Sequence, residues 1–300
     1  MPPPADFVAT LVCDSRSPVL TEPLARRALA ASGASGARWL APGAALDLLL
    51  PAERASLAEP AVREALAGAP VDVIVQPAQG RRKKLLVADM DSTMIGQECI
   101  DELAAEAGLK DHVAAITERA MAGEIAFEGA LRERVALLKG LPLAVVDRVL
   151  ERSITLTPGG RALVRTMRRD GALAALASGG FTIFTRIVAQ KIGFDLDVAN
   201  RLEIDADGAF AGTVAEPIFG ADGKRETLLR LRAERCLLAH ETLAVGDGAN
   251  DLPMLQAAGL GVSFRGKPAV AAAAAARIDH ADLTALLYAQ GYAQEEIVED

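Results

Sequence analysis

Aromatic residues are scarce in this chain of 300 residues: eight Phe, two Tyr and one Trp, 4% in all. Hydrophobic residues nevertheless make up 51%, so the core must be built mainly from small aliphatic side chains. Cysteine is equally sparse. Cys13, Cys99 and Cys236 are odd in number and widely spaced, which excludes a disulfide framework and suits free thiols in a reducing compartment. His112, His240 and His280 stand alone, without the spacing of a zinc site. Net charge is 32 − 40 = −8, and the only basic block is Arg81-Arg82-Lys83-Lys84. Nucleic acid is therefore not expected as a partner, although local fields leave an anionic substrate open. No apolar stretch approaches a membrane span; Ala271 to Ala276 is a short helix-forming run. Pro2-Pro3-Pro4-Ala5-Asp6 lacks the basic start of a secretory leader. A cytoplasmic protein with no membrane association is expected.

What the chain does have is a set of apolar runs that end in polar groups. Leu85 to Ala88 reads as a parallel strand buried on both faces, and it stops at Asp89-Met90-Asp91-Ser92-Thr93. Asp89 and Asp91, two positions apart, project from one side of an extended segment. Carboxylates that close call for a cation, and Mg²⁺ is the oxygen-seeking choice. Ala172 to Ala177 is a second run, ending in Ser178-Gly179-Gly180. Leu243 to Val245 is a third, ending in Gly246-Asp247-Gly248-Ala249-Asn250-Asp251. Lys224 opens a helical pattern after Gly220-Ala221-Asp222-Gly223. In open α/β sheets the strand ends are where ligands bind.

Asp-x-Asp, Ser-Gly, Lys and Gly-Asp-Gly-x-Asn-Asp, in that order over roughly residues 83 to 275, resemble the haloacid dehalogenase superfamily of phosphotransferases. Asp-Met-Asp-Ser-Thr, with Glu98, Phe127 and Arg134 downstream, is similar to the phosphoserine phosphatase family within it. The rest of the chain is consistent with such a core. After Thr93, four helical patterns (Gln97 to Ala107, Val113 to Ala122, Phe127 to Leu138, Leu143 to Arg152) lie between two core strands and suggest an inserted helical cap at about 96–155. Glycines 108, 123 and 140 supply helix stops. From Arg161 onward strands and helices alternate, which implies a doubly wound parallel sheet. Arg225 to Glu234 and Pro268 to Ala276 are among the expected helices.

Residues 6 to 76 form a separate pattern, β-α-β-β-α-β, which is ferredoxin-like. It resembles the ACT-type amino-acid-binding domains that precede the catalytic part of some phosphoserine phosphatases. It carries no clear glycine-bearing ligand loop, so a structural or dimerising role is expected, with a homodimer as one outcome. Residues 77–84, rich in Pro, Gly and charge, read as the linker. The expected division is 1–80 for this module and 81–300 for the catalytic part.

The resemblance implies roles. Asp89 is the nucleophile that forms an aspartyl-phosphate, and Asp91 is the general acid and then the general base. Mg²⁺ is held by the carboxylates of Asp89 and Asp247 and by the backbone carbonyl of Asp91. Ser178, the Gly179 amide, Lys224 and Asn250 hold the phosphoryl oxygens, and Asp251 orients Lys224. In the cap, Glu98 pairs with an α-ammonium, Arg134 grips a carboxylate, and Met121 and Phe127 close an apolar wall. Read alone, Glu98 and Arg134 are ordinary helix-surface charges; agreement with the family pattern makes them a zwitterion clamp. The implied reaction is hydrolysis of O-phospho-L-serine, the last step of serine biosynthesis. Related esters such as phosphohomoserine or phosphothreonine are the alternative.

Overall fold

The computed structural model describes residues 6–121 and 124–299. The chain opens with β1 (Phe7–Val12), α1 (Glu22–Ser32), β2 (Gly36–Ala41), β3 (Ala45–Leu50), α2 (Ala55–Leu66) and β4 (Asp72–Pro77). The Asp47-Leu48-Leu49-Leu50 segment is strand, pairing with β1 on one side and, through Asp47 to Leu49, with β2 on the other. The resulting antiparallel sheet has the order β2-β3-β1-β4. Thr21 caps α1 through its side chain, as a β-hydroxyl before a helix should.

The second sheet begins with β5 (Leu85–Ala88). The chain then leaves for four helices, α3 (Cys99–Glu106), α4 (Lys110–Met121), α5 (Phe127–Leu137) and α6 (Val145–Arg152). The two ends of this excursion are tied together by an antiparallel bridge between Ile95 and Leu156. The chain returns through α7 (Gly160–Arg169), β6 (Leu173–Phe181), α8 (Thr182–Ile192) and β7 (Leu196–Asn200). A hairpin of β8 (Leu202–Ile204) and β9 (Phe210–Val214) forms its own two-stranded ribbon. Then follow α9 (Ala221–Glu234), β10 (Thr242–Gly246), α10 (Leu252–Ala257), β11 (Leu260–Phe264), α11 (Pro268–Ala273), β12 (Ala276–Ile278) and α12 (Ala285–Ala289).

The sheet has the order β12-β11-β10-β5-β6-β7, and every pairing in it is parallel. Helices cover both faces. Leu85 and Val87 pack with Leu228, Leu231 and Met254 of α9 and α10. Leu86 and Ala88 belong to the opposite core, with Leu163, Met167, Phe184 and Val188 of α7 and α8. This is why β5 reads as an uninterrupted apolar run. Two expectations are corrected. The helix expected over Pro268 to Ala276 ends at Ala273, and Ala276 starts an edge strand. Lys224 lies within the first turn of α9 rather than ahead of it.

The N-terminal sheet is bolted to the second unit by buried polar groups. The Asp72 carboxylate accepts hydrogen bonds from the Asp279, His280 and Ala281 amides at 2.8–3.3 Å. The Arg81 guanidinium bridges Asp47, at 2.7 and 2.9 Å, and the carbonyls of Tyr288 and Ala289.

Candidate functional site

Sheet register brings the polar strand ends together. Ala88 pairs with Val245 on one side and Leu176 on the other. Asp89, Asp247 and Ser178 therefore emerge within one or two residues of a common line across three adjacent strands. After Asp89 the backbone makes a wide turn through Met90–Met94, whose apolar members Met90 and Met94 are buried. Ser92 sits in it at φ +52. The turn aims Asp91 back at the strand ends, where the Cys99 amide donates to its Oδ1 at 3.1 Å.

A single buried cation organises the acids. Lys224, fully buried, places Nζ 2.7 Å from Asp89 Oδ1 and 2.7 Å from Asp251 Oδ1. The two carboxylates outweigh the cost of burial and push the Lys224 ammonium up, so it stays charged. Asp251 is used on both oxygens, since Oδ2 accepts from the Gly248 amide at 3.0 Å. Gly246 cannot be larger: a Cβ there would fall 2.3 Å from the Asp251 carboxyl carbon. Gly180 is constrained in the same way, because a Cβ there would lie 2.9 Å from Asp91 Oδ2 and 3.1 Å from Ser178 Oγ.

The acids are held away from their ordinary range. Burial, and then Asp251, push the Asp89 carboxyl well up, with Lys224 opposing. Burial and the neighbouring Glu98 push Asp91 up to about 7. Burial, with Asp251 and Glu98, pushes Asp247 up to about 6. Thr93 Oγ1 donates to Asp247 Oδ1 at 3.2 Å. Oxygens of Asp89, Asp247 and Asp251 all lie within 4.8 Å of one another. With Asp251 committed to Lys224 and Gly248, Asp89 and Asp247 are left to face a cation. An all-oxygen donor set with uncompensated charge fits a hard divalent ion.

Above these groups opens a cavity of ≈ 430 Å³ between the sheet end and α3–α5. Of the residues expected from sequence, Asp89, Asp91, Glu98, Phe127, Arg134, Ser178, Gly179, Asp247 and Asn250 all line it. Phe127 comes down from the start of α5 onto Gly179, and Asn250 approaches the same glycine. Lys224 and Asp251 sit behind the lining. The side chain of Met121 lies outside the described residues, as do Ala122 and Gly123. Glu98 precedes α3, is exposed to the cavity, and accepts from Ser92 Oγ at 2.7 Å. Arg134 is partly buried, its Nε donating to the Ala130 carbonyl at 3.3 Å.

Some groups escaped sequence reasoning. Asn200, 2% exposed at the end of β7, donates to the Gly179 and Phe219 carbonyls at 2.9 Å and accepts from the Phe219 amide at 2.7 Å. It ties the Ser178-Gly179 loop to the segment that delivers Lys224. A lone Asn after an irregular strand gave no sign of this. Thr93, Ser92 and Asp101 were likewise missed; Asp101 lines the cavity.

Carboxylates gathered at the carboxyl edge of a doubly wound sheet, beneath a helical cover, mark an α/β enzyme that acts on a small ligand. More narrowly, the chain belongs to the haloacid dehalogenase-like hydrolase family, whose model matches residues 86–256. It is 43% identical over 237 residues to the phosphoserine phosphatase of Streptomyces coelicolor, covering 79% of this chain and 57% of that protein. It is 45% identical over 216 residues to a probable phosphoserine phosphatase of Schizosaccharomyces pombe, covering 72% of each. The match thus spans little more than half of the Streptomyces protein. Among solved structures, a HAD family hydrolase from Salmonella enterica superposes over 97% of this chain and 99% of its own, with TM-score 0.83 and 30% identity. A substrate-bound phosphoserine phosphatase complex superposes with TM-score 0.64 and 38% identity, over 69% of this chain and 97% of that one.

Proposed function

We propose that the protein hydrolyses O-phospho-L-serine to L-serine and phosphate with Mg²⁺ as cofactor. The observation that carries this reading is one cavity with two kinds of wall. Its floor holds Asp89, Asp91, Ser178 and Asp247, and its roof holds Glu98 and Arg134. A phosphate ester bearing an ammonium and a carboxylate matches both. Relatives named phosphoserine phosphatase at 40–45% identity support the choice of substrate.

Asp89 attacks phosphorus, and the bond to the seryl oxygen breaks. A seryl alkoxide leaves poorly without a proton, so Asp91 donates one; a carboxyl pushed up to about 7 is suited to that task. Asp91 then takes a proton from water, which attacks the aspartyl-phosphate and releases phosphate and Asp89. Ser178, the Gly179 amide and Asn250, which line the cavity, hold the phosphoryl oxygens, and Lys224, behind the lining against Asp89, adds its positive charge where charge spreads during transfer. Asp89, Asp247 and the Asp91 carbonyl would hold Mg²⁺, which when bound neutralises charge on those oxygens. Glu98 receives the ammonium and Arg134 the carboxylate, the latter through a geometry lysine cannot offer.

We read residues 1–80 as an accessory module, 81–300 as the catalytic part and about 96–155 as its cap. We place the protein in the cytoplasm, a reading supported by its three unpaired cysteines; no helix among the described residues is long and apolar enough to cross a membrane. The test is phosphate release from L- and D-phosphoserine, phosphothreonine, phosphohomoserine and p-nitrophenyl phosphate, with and without Mg²⁺. Preference for L-phosphoserine, lost on chelation, is expected. Equal turnover of all esters would reduce the reading to a general phosphatase.

A further inference from the structure

The roof of the cavity holds one more acid than the proposed zwitterion clamp uses. Glu98 sits at the start of α3, and Asp101 lies three residues on, in its first turn. Both line the same cavity as Arg134 of α5. Two carboxylates, from the N-cap and the first turn of α3, thus share the cavity with one guanidinium from α5. Glu98 already receives the Ser92 hydroxyl at 2.7 Å, which fixes its carboxylate on the side of the Asp89–Asp91 turn. Arg134 is anchored to its own helix through Nε, and among the described residues it makes no direct ion pair. Burial pushes the Arg134 guanidinium down, with Asp101 and then Glu98 opposing, and burial pushes the Asp101 carboxyl up, with Arg134 opposing.

We propose that Asp101 is a positioning residue: it draws the Arg134 guanidinium to the far side of the cavity, so that Glu98 remains open to a substrate ammonium. The inference rests on the phosphoserine reading and deepens it. An amino-acid subsite needs its cation and its anion kept apart, because a direct Glu98–Arg134 pair would satisfy both and leave nothing for a zwitterion. With Asp101 present, Arg134 has an acid to face other than Glu98. When substrate enters, its carboxylate takes the open fork of Arg134 and its ammonium takes Glu98. Without Asp101, Glu98 is the acid left beside Arg134 in the roof of the cavity, and the amine half of the subsite closes first.

This predicts a change of preference rather than a general loss. Four esters separate the charges: phosphoserine carries both groups, phosphoethanolamine only the ammonium, phosphoglycolate only the carboxylate, and p-nitrophenyl phosphate neither. Asp101→Asn should lower kcat/KM for phosphoserine and phosphoethanolamine by about tenfold, mainly through KM. It should leave p-nitrophenyl phosphate within about twofold, and phosphoglycolate should not improve, because its carboxylate then competes with Glu98 for Arg134. Asp101→Glu should restore the amine-bearing substrates. In a Glu98→Gln background, Asp101→Asn should cost phosphoethanolamine nothing further, because the acceptor that it protects is already gone. A uniform decrease on all four esters would mean that Asp101 only stabilises the start of α3, and would overturn the proposal, as would no change on any. If the wild type itself shows no preference for amine- or carboxylate-bearing esters, the phosphoserine reading fails and this inference fails with it. A wild-type preference that Asp101→Asn leaves untouched refutes the positioning role alone.

Discussion

Without metal, the protein should lose stability as pH rises through neutrality, and Mg²⁺ should restore it. Asp247 is pushed up from 3.8 to about 6 and Asp91 from 3.8 to about 7. A carboxyl whose pKa is raised by folding stabilises the fold fully below its unfolded value, near 4. That contribution is lost as pH climbs through the folded value, here from about 4 up to about 7. At 1.36 kcal/mol per unit, shifts of about two and three units amount to about 3 and about 4 kcal/mol. Relaxation and water in the cavity reduce the sum, and a loss of about 3 kcal/mol between about pH 4 and 7 is expected in chelator. That is a large part of an ordinary total stability of about 5–15 kcal/mol.

A divalent ion reverses the slope because it binds the deprotonated carboxylates. Its contribution grows with occupancy and reaches about 2.7 kcal/mol at a hundred times Kd. Urea unfolding at several pH values, in EDTA and in saturating Mg²⁺, provides the assay. The EDTA curve should fall with pH and the Mg²⁺ curve should stay nearly level, the two meeting at about pH 4. Asp247→Asn should flatten the EDTA curve and abolish most of the gain from metal. A metal gain equal at low and high pH, or one that survives Asp247→Asn, would refute the reasoning.

Other expected outcomes follow from single contacts. Lys224→Met strands Asp89 and Asp251 beside each other in the interior and should cost about 3–5 kcal/mol in chemical denaturation; a loss below about 1 kcal/mol would show the lysine is not the counter-ion. Asp91→Asn should slow phosphoserine hydrolysis by about 10²–10⁴, and a rapid-quench burst on p-nitrophenyl phosphate should survive, since nitrophenolate leaves without a proton. Arg134→Ala should lower kcat/KM for phosphoserine at least about tenfold, by loss of a charged hydrogen-bond partner, and change phosphoethanolamine little; equal losses on both would remove the carboxylate assignment. Deleting residues 1–80 should leave turnover intact while promoting aggregation, because Arg81 loses Asp47 and the 279–281 amides lose Asp72; a monodisperse, equally heat-stable fragment by light scattering and calorimetry would contradict this.

The floor of the candidate site was legible because each of its parts sits at a place where local pattern changes. An apolar run that breaks into Asp-x-Asp, Ser-Gly or Gly-Asp-Gly reports both a buried strand and its end, and parallel pairing then aligns the ends. The residues that lock the floor were not legible. Asn200 joins two loops across 19 and 21 positions, and Thr93 meets Asp247 across 154; neither follows any period. Phe194 to Thr213 holds a core strand and a separate hairpin, since strand character in a sequence does not say which sheet a strand joins. Ala271 to Ala276 misled for a related reason: alanine favours helix, but the last of these residues pairs with Val262 and extends the sheet edge, and tertiary pairing overrides propensity.

The least legible feature is how residues 6–77 meet the rest, and it changes what that module can do. Its pattern and order were readable, its attachment was not, because the attachment is made by isolated polar residues whose partners lie more than two hundred positions away. Asp72 meets residues 279–281, and Gln76 and Arg81 meet Ala289. These contacts have a common consequence. β4, at the edge of the N-terminal sheet, is brought against β12, at the edge of the parallel sheet, so each edge is covered by the other. Exposed edges invite pairing with other chains, and the contact removes that hazard at one edge of each sheet, β2 and β7 forming the other edges. The buried α12 lies against β1 and takes up the face of the N-terminal sheet that α1 and α2 leave uncovered. A module docked through one face, one edge and a buried arginine has little freedom to swing on a linker. Residues 279–289 carry these contacts toward the cavity side, since the Leu283 amide donates to the Pro158 carbonyl at 3.1 Å, two residues from the Leu156 bridge at the root of the four cap helices.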